Sequence, residues 1–268
     1  ESYKKFFFHK IDISNKDDLF KIFKKFSPQK VVNLAAQPGV RYSFINPDQY
    51  IMFNLLGFYN IIELCKYFET EGLIYASSSS VYGGNKKIPF DINDKVNHPI
   101  SLYAATKRSN ELIARSYSES FSINTTGLRY FTVYGPWYRP DMAMFIFIKN
   151  IINSKPINIY NNGNLKRDFT YIDDIVDGTK LAIEKNYECE IFNLGNSKSE
   201  KLMDIIMLIE KTLGLKAVPN FQKMQLGEMI ETCADIQYSR EKIGYDPKIS
   251  IKNGIPKLID WYKEYYNV

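Results

Sequence analysis

Cysteine and histidine are scarce in this sequence, and neither stands at a spacing that binds metal. The three cysteines, Cys65, Cys189 and Cys233, lie far apart, and the chain has 2 histidines. Zinc sites use pairs of Cys or His ligands a few residues apart. We therefore expect no metal centre, and we interpret the cysteines as free thiols of a reducing compartment.

Long apolar runs and an excess of one charge are also missing. No apolar stretch reaches the roughly 18 residues that a membrane-spanning helix needs, and the first residues show no signal-peptide pattern. The 35 basic and 30 acidic residues leave a net charge of +5, which is too balanced to indicate nucleic-acid binding. We expect a cytoplasmic protein that binds neither membranes nor nucleic acids. Its 268 residues, 45% of them hydrophobic, can bury a sizeable core.

The most informative stretch begins with an apolar strand that ends in serines. Leu73–Ala76 is typical of a buried strand, and the four serines Ser77–Ser80 follow it directly. Hydroxyl groups at the carboxyl end of a strand lie where open α/β sheets bind ligands. A helix then begins near Ser101, and Tyr103 and Lys107 share one of its faces because they are four residues apart.

A serine, a tyrosine and a lysine that converge support proton transfer coupled to hydride transfer. A phenol titrates near a pKa of ~10, and a neighbouring ammonium group lowers that pKa by stabilising the phenolate. Tyr103 would be the base, Lys107 would lower its pKa, and Ser78 would hold the substrate oxygen. Alternatively, Tyr103 and Lys107 are ordinary residues of an amphipathic helix. The serines before them favour the catalytic interpretation.

Strand and helix patterns alternate along the chain, which favours a parallel sheet covered by helices. The first half predicts a strand ending at Ile11 and Asp12, a helix capped by Ser14 or Asn15 and running to Phe26, a strand at Val31–Leu34, a helix from Asn46 to Tyr67 and a strand at Asn124–Arg129. The second half predicts a helix over 141–153, a hairpin within 159–174, a helix from Asp173, a strand over 191–194 and a helix over 199–213.

Seven ordered motifs resemble the extended short-chain dehydrogenase/reductases of the NAD-dependent epimerase/dehydratase family, and among them the UDP-glucuronate 4-epimerases. The motifs are NLAAQPGVRYS, YASSSSVYG, SLYAATK, GLRYFTVYGPWYRPDMA, KRDFTYIDD, FNLGNS and WYKEYY. The resemblance implies a doubly wound, Rossmann-like sheet with a smaller C-terminal substrate-binding domain. It assigns residues 1–136 and about 171–196 to an NAD-binding domain, and residues 137–170 and 197–268 to the substrate-binding domain.

The resemblance also implies NAD as the cofactor. The cofactor-binding residues to which it points are Asp12, Ile13, Leu34, Ala35, Ala36, Gln37, Asn54, Ser77, Tyr103, Lys107, Tyr130 and Val133. Asn54 is expected to support the catalytic region through hydrogen bonds to the backbone. No GxxGxxG, the loop that cradles the cofactor pyrophosphate, stands in this sequence. We therefore expect a fragment that lacks roughly 50 to 60 residues, rather than a relative that has lost them, and little activity in the chain as given.

A nucleotide sugar is the implied substrate. The residues expected to bind it are Ser78, Ser79, Ser80, Thr132, Arg139, Arg167 and Glu228. Arg167 of KRDFTYIDD would grip the diphosphate through its guanidinium fork. Glu228 would contact the ribose, although relatives usually carry aspartate there. Ser79, Ser80 and Thr132 would hold a C6 carboxylate.

The resemblance implies 4-epimerisation of UDP-glucuronate to UDP-galacturonate through a 4-keto sugar, for surface polysaccharide precursors. Dehydratases of this family carry an Asp-Glu pair after the catalytic Ser or Thr, and decarboxylases usually carry a glutamate there. Ser79 and Ser80 are neither acids nor bases at neutral pH. The alternatives are a decarboxylase, a 4,6-dehydratase, a UDP-glucose 4-epimerase, or a truncated chain that only binds the nucleotide sugar.

Family members commonly form dimers by packing two helices from each subunit. These correspond here to the helix from Asn46 and the helix that carries Tyr103. Phe53, Phe58 and Leu112 give these helices apolar side chains on more than one face. We therefore expect a homodimer.

Overall fold

The chain folds as alternating strands and helices. The computed structural model describes residues 5–268. The helices are α1 (Lys16–Phe26), α2 (Pro47–Gln49), α3 (Gly57–Tyr67), α4 (Leu102–Phe121), α5 (Ala143–Ile152), α6 (Ile172–Lys185), α7 (Leu202–Leu213), α8 (Gln237–Ile243) and α9 (Ile251–Tyr266). The strands are β1 (Lys30–Asn33), β2 (Gly72–Ser78), β3 (Thr125–Tyr130), β4 (Thr132–Tyr134), β5 (Pro156–Tyr160), β6 (Lys166–Tyr171), β7 (Cys189–Leu194), β8 (Ser199–Lys201) and β9 (Val218–Gln222).

A four-stranded parallel sheet in the order β1-β2-β3-β7 positions the predicted site. Helices cover both faces of this sheet. Successive side chains of a strand point to opposite faces, so each strand packs against helices on both sides. On β2, Leu73 and Tyr75 pack with residues of α1 and α3, whereas Ile74 packs with residues of α6 and α8. This arrangement confirms the predicted α/β, Rossmann-like class.

A separate hydrophobic core joins α5, α7 and α9 in the second part of the chain. Ile148, Ile206 and Leu258 are among its buried residues. Two smaller sheets accompany it, β4-β6-β8 and the parallel pair β5-β9. Helix α8, which the predicted boundaries assign to the second domain, packs instead on the large sheet through Ile243. The exact domain division stays a prediction.

Local capping signals determine where the helices of the site begin. The Asn15 side chain accepts a hydrogen bond from Asp18 N at 3.2 Å, and Ser101 Oγ accepts one from Ala104 N at 3.1 Å. Asn46, at which the predicted second helix begins, does not cap that helix through its side chain. Its Nδ2 donates to the Tyr42 hydroxyl at 3.2 Å, and the side chain accepts nothing from the first helical turn.

The helix that follows Asn46 is not uniformly α-helical. A π-helical segment, Tyr50–Leu56, separates α2 from α3. Such segments are rare and frequently occur at functional sites. Phe58, just beyond it, is 1% exposed and packs edge-on against Tyr75. Phe58 therefore belongs to the core and cannot contribute to a dimer surface.

Two predicted elements are absent from the described part of the chain. Residues 5–12 form no strand, and β1 has β2 as its one neighbour in the described part of the sheet. The predicted hairpin is also wrong, since β5 pairs with β9 whereas β6 pairs with β4 and β8. Among residues 5–268, no helix is both long and apolar enough to cross a bilayer.

Candidate active site

The carboxyl end of β2 presents Ser78 as a hydrogen-bond acceptor for the turn that follows. Its Oγ accepts bonds from Ser80 N at 3.2 Å and from Ser80 Oγ at 3.0 Å. A hydroxyl group that accepts two bonds still has its own proton to donate. The Ser78 proton is therefore free to reach Tyr103 or a substrate oxygen. The Ser80 hydroxyl, in contrast, already donates, so it holds a carboxylate only by exchanging that bond.

Helix α4 brings Tyr103 and Lys107 to this strand end. Tyr103 lies close enough to Ser78 for this serine to act on its pKa, and Lys107 Nζ donates to Ala76 O at 2.7 Å. The three predicted catalytic residues therefore converge, as their spacing suggested. Lys107 is 4% exposed, which is unusual for a lysine.

The pKa values of the two α4 residues depart from the simple prediction. Burial raises the pKa of Tyr103 above its ordinary value, although the nearby Ser78 hydroxyl and the charge of Arg139 oppose the rise. Burial lowers the pKa of Lys107 to about 8. The predicted lowering of the Tyr103 pKa by Lys107 is thus not present, because desolvation outweighs the neighbouring charges.

The loop after β1 is held to the active site by Asn54. Asn54 Oδ1 accepts a bond from Gln37 N at 2.7 Å, and its Nδ2 donates to Gln37 O and to Thr106 Oγ1, both at 3.1 Å. Thr106 lies on α4 between the predicted base and Lys107. Asn54 therefore connects the loop to the catalytic helix, which is the scaffold role expected of it.

Tyr50 is a site residue that the sequence analysis missed. It is fully buried, its hydroxyl lies 2.6 Å from Gly39 O and 3.0 Å from Pro38 O, and its ring packs edge-on against Tyr103 with centroids 6.1 Å apart. Burial raises the pKa of Tyr50 to about 12, so the phenol stays protonated and donates. Its spacing of four residues from Asn54 was the available signal.

The predicted cofactor residues near the start of the chain surround an open cavity of about 470 Å³. Asp12, Ile13, Ala35 and Ala36 line it, together with Phe53 and two further residues. An apolar wall with a carboxylate at its edge suits the nucleoside part of NAD. These residues fit that part of the cofactor, and the sequence holds no glycine-rich loop for the pyrophosphate.

The other predicted cofactor residues have mixed surroundings. Leu34 is 57% exposed beside the loop, and Val133 is partly buried. Tyr130 shares a hydrogen bond with Thr179 at 2.9 Å, and burial raises its pKa to about 12. Ser77 donates its hydroxyl proton to Glu111 at 2.6 Å, which leaves the Ser77 backbone for contact with a cofactor.

The predicted substrate residues farther along the chain form a second group. Arg167 pairs with Glu228 at 2.8 Å and also donates to the backbone oxygen of Ile230 at 3.1 Å. Burial lowers the pKa of Arg167, whereas Glu228 raises it. Arg139 is exposed and donates from Nε to Asp141 at 3.1 Å. Its charge nevertheless acts on Tyr103, so it lies close enough to serve the same site.

Comparisons with known proteins identify relatives of this chain. The NAD dependent epimerase/dehydratase family matches residues 1–195. An uncharacterized protein of Methanocaldococcus jannaschii is 51% identical over 98% of this chain and 81% of its own length. UDP-glucuronate 4-epimerase 4 of Arabidopsis thaliana is 43% identical over 96% of this chain and 63% of its own length.

A solved structure extends the likeness to three dimensions. UDP-glucuronic acid 4-epimerase from Bacillus cereus, in complex with UDP-glucuronic acid and NAD, has a TM-score of 0.93 and 37% identity, covering 99% of this chain and 84% of that one. Similarity of this extent includes the strand end with Ser78 and the helix with Tyr103 and Lys107. The chain therefore belongs to the NAD-dependent epimerase/dehydratase family, as an enzyme of the extended short-chain dehydrogenase/reductase type.

Proposed function

We propose that the protein interconverts UDP-glucuronate and UDP-galacturonate by epimerisation at C4 of the sugar. The observation that carries this proposal is the end of β2, where Ser78 lies close enough to Tyr103 to act on its pKa and the next two side chains are the hydroxyls of Ser79 and Ser80. The names of the Arabidopsis and Bacillus relatives support the same reaction.

The residues of the chain would move a proton while the sugar is oxidised and reduced again. When bound, NAD supplies the hydride acceptor at C4. Tyr103 takes the proton of the C4 hydroxyl and later returns it, and Ser78 donates a hydrogen bond to the same oxygen. Lys107, one helical turn from Tyr103, remains the proposed cation for the phenolate in the complex with NAD and the sugar, whereas in this structure the charge that favours the phenolate is that of Arg139. The keto sugar turns over before it is reduced, so the hydride returns to the opposite face and the configuration at C4 is inverted.

The hydroxyls beside Ser78 argue against loss of water or of CO₂. Elimination of water needs an acid and a base near the sugar, and Ser79 and Ser80 provide neither. A keto group at C4 makes a C6 carboxylate easy to lose. Ser79 and Thr132, both partly buried at strand ends, are proposed to hold the carboxylate in an orientation that retains it.

Arg167 is the proposed partner of the diphosphate. Its guanidinium is largely buried, and its present partner is the carboxylate of Glu228. A phosphate group is also an anion and offers two oxygens to the guanidinium fork, so Arg167 would transfer its bonds to it. Glu228 would then turn to the ribose hydroxyls, as the resemblance implies. Cytoplasmic location and supply of polysaccharide precursors stay predictions.

The experiment is an assay of the protein expressed from its complete reading frame, with NAD and UDP-glucuronate. We expect UDP-galacturonate to form without net NADH, as measured by anion-exchange chromatography and absorbance at the NADH band. Tyr103→Phe should lose about 10²- to 10⁴-fold in kcat because no phenolate forms. Tyr117→Phe, a change of the same kind farther along α4, is the matched control. Faster turnover of UDP-glucose than of UDP-glucuronate, or full activity in Tyr103→Phe, would contradict the proposal.

A further inference from the structure

A buried ion pair lies directly behind the active site and takes no part in the proposed chemistry. Glu111 and Arg129 have side chains that are 0% and 2% exposed. Arg129 Nε donates to Glu111 Oε1 at 2.9 Å, and Arg129 Nη2 donates to Oε2 at 3.0 Å. The two side chains therefore meet as a planar, two-bond fork, which fixes both distance and orientation.

Glu111 continues the catalytic face of α4. It follows Lys107 by four residues and Tyr103 by eight, so the three side chains stand on successive turns of one face. The same carboxylate accepts a hydrogen bond from Ser77 Oγ at 2.6 Å, and Ser77 immediately precedes Ser78. One carboxylate thus joins the helix of the predicted base to the strand of the predicted oxygen-binding serine.

Arg129 extends the connection across the sheet. It stands opposite Ser77 in the pairing of β2 with β3. Its Nη1 donates to the Tyr82 hydroxyl at 3.0 Å, and that hydroxyl donates to Asn193 Oδ1 at 2.7 Å on β7. The network therefore ties α4 to three neighbouring strands.

The charge state of Glu111 is maintained by its partners. Burial raises the pKa of its carboxyl, but hydrogen bonds from Arg129, Ser77 and Arg108 outweigh burial and leave the pKa below its ordinary value. A buried ion pair is commonly no more stabilising than apolar residues of the same volume. Its specific contribution is geometric, because each group is restrained by directional bonds.

We propose that the Glu111–Arg129 pair, together with Ser77, is a positioning device that sets the distance of Tyr103 and Lys107 from Ser78. This inference rests on the proposed function, since it takes Tyr103 and Ser78 as the groups that act on C4. Lys107 Nζ binds Ala76 O, the residue before Ser77, so the two α4–β2 connections lie side by side. A shift of α4 would move both predicted catalytic side chains together.

The first test separates chemistry from binding. Ser77→Ala removes one bond of the network, and Glu111→Gln keeps the shape of the side chain but removes its charge. Because small misplacements of catalytic groups slow chemistry strongly, we expect kcat to fall about 3- to 10-fold in the first variant and about 100-fold in the second. KM for UDP-glucuronate should change less than about 2-fold, and the isotope effect from deuterium at C4 should rise as hydride transfer becomes rate-limiting.

Two controls exclude a loss that merely reflects stability. Glu119→Gln breaks an exposed ion pair with Arg115 on the same helix and should leave kcat unchanged. Leu258→Ala lowers the unfolding temperature through the second core and should also leave kcat per folded molecule unchanged. Unchanged kcat in a folded Ser77→Ala protein, or an equal loss in Leu258→Ala, would overturn the positioning role. Ser77→Ala keeps the test decisive if Glu111→Gln does not fold.

A second readout needs no substrate, so it distinguishes failure of this inference from failure of the proposed function. Lysine acetylation by acetic anhydride, quantified by mass spectrometry well below the unfolding temperature, reports on the burial of Lys107. We expect about 10-fold faster labelling of Lys107 in Glu111→Gln than in the wild-type protein, because α4 moves from β2. Equal labelling rates would overturn the inference. Absence of turnover of UDP-glucuronate by the wild-type protein, with faster labelling in the variant, would overturn only the proposed substrate.

Discussion

Lys107 is a buried cation, and its burial makes protein stability depend on pH. Its pKa is lowered from 10.5 in the unfolded chain to about 8 in the folded protein. Between these values the unfolded chain binds more protons than the folded one, so the free energy of unfolding rises with pH from about 8 to 10.5. Below pH 8 the full cost of burying the ammonium group remains.

Lys107→Met removes this cost and this pH dependence. We expect the variant to gain up to about 3 kcal/mol of stability at pH 7, less the contribution of the lost bond to Ala76 O. Urea denaturation at pH 7 and at pH 10 measures the difference. The exposed Lys180→Met is the matched control. An equal rise with pH in wild type and Lys107→Met would refute the prediction.

Thr132 tests the proposed carboxylate site. If its hydroxyl bonds the C6 carboxylate, Thr132→Ala should weaken discrimination for the acid by about 1.5 to 3 kcal/mol, the worth of a hydrogen bond to a charged group. The freed carboxylate could then rotate and leave as CO₂, so the variant should release some UDP-4-keto-pentose. Product analysis by mass spectrometry measures both outcomes, and Thr132→Ser should behave as wild type. If Thr132→Ala has unchanged kinetics and releases no UDP-4-keto-pentose, Thr132 does not bind the carboxylate, and Arg139 would be the residue that recognises the acid.

At the scale of elements, the π-helical segment explains how one stretch of helix serves the loop after β1. Tyr50 and Asn54 both point their polar atoms at this loop, the first at Gly39 O and the second at Gln37. Asn54 also reaches Thr106 on α4. The segment therefore couples the loop predicted to bind NAD to the catalytic helix.

Asn54→Ala would leave several buried polar groups without partners. Each orphaned group costs about 1 to 3 kcal/mol, so we expect a lower unfolding temperature and a mobile loop. Hydrogen exchange at the Gln37 amide should accelerate by at least about tenfold, because this amide donates to Asn54. Exchange in β7 should stay slow. Protection of Gln37 equal to that in the wild-type protein would show that the loop is held by other contacts.

At the scale of the whole molecule, the outer face of α3, α4 and the π-helical segment is apolar and exposed. Its exposed side chains are Ile51, Met52, Leu56, Tyr59 and Leu112. We propose that a second copy of the chain covers this face, as the resemblance implies. Phe58 takes no part, because it is buried within the subunit.

A charge on this face should therefore separate the subunits. Leu112 is 55% exposed, and Leu112→Glu would bury a carboxylate in the dimer but not in the monomer. We expect light scattering at micromolar concentration to report a dimer for the wild-type protein and a monomer for the variant. Val176→Glu, which adds the same charge to α6 at a side chain 47% exposed, should remain dimeric. A monomeric wild-type protein would contradict the proposed assembly.

The sequence by itself determined the features that depend on neighbours along the chain. Caps at Asn15 and Ser101 form from residues three positions apart, and the spacing of Tyr103 and Lys107 follows from the helical repeat. The alternation of strands with helices was sufficient for a parallel sheet, and Asn54 stood out as a polar residue among apolar ones. These predictions succeeded because short-range geometry controls them.

The tertiary structure alone decided what depends on distant parts of the chain. Ser77 and Glu111 are 34 residues apart, and Tyr82 and Asn193 are 111 apart, so no periodicity could pair them. The pKa of Tyr103 was predicted with the wrong sign because desolvation depends on everything packed around the phenol. The strand expected to end at Ile11 and Asp12 is likewise a tertiary matter, since a strand persists only where it pairs with a neighbour, and residues 5–12 pair with none in the described part of the chain.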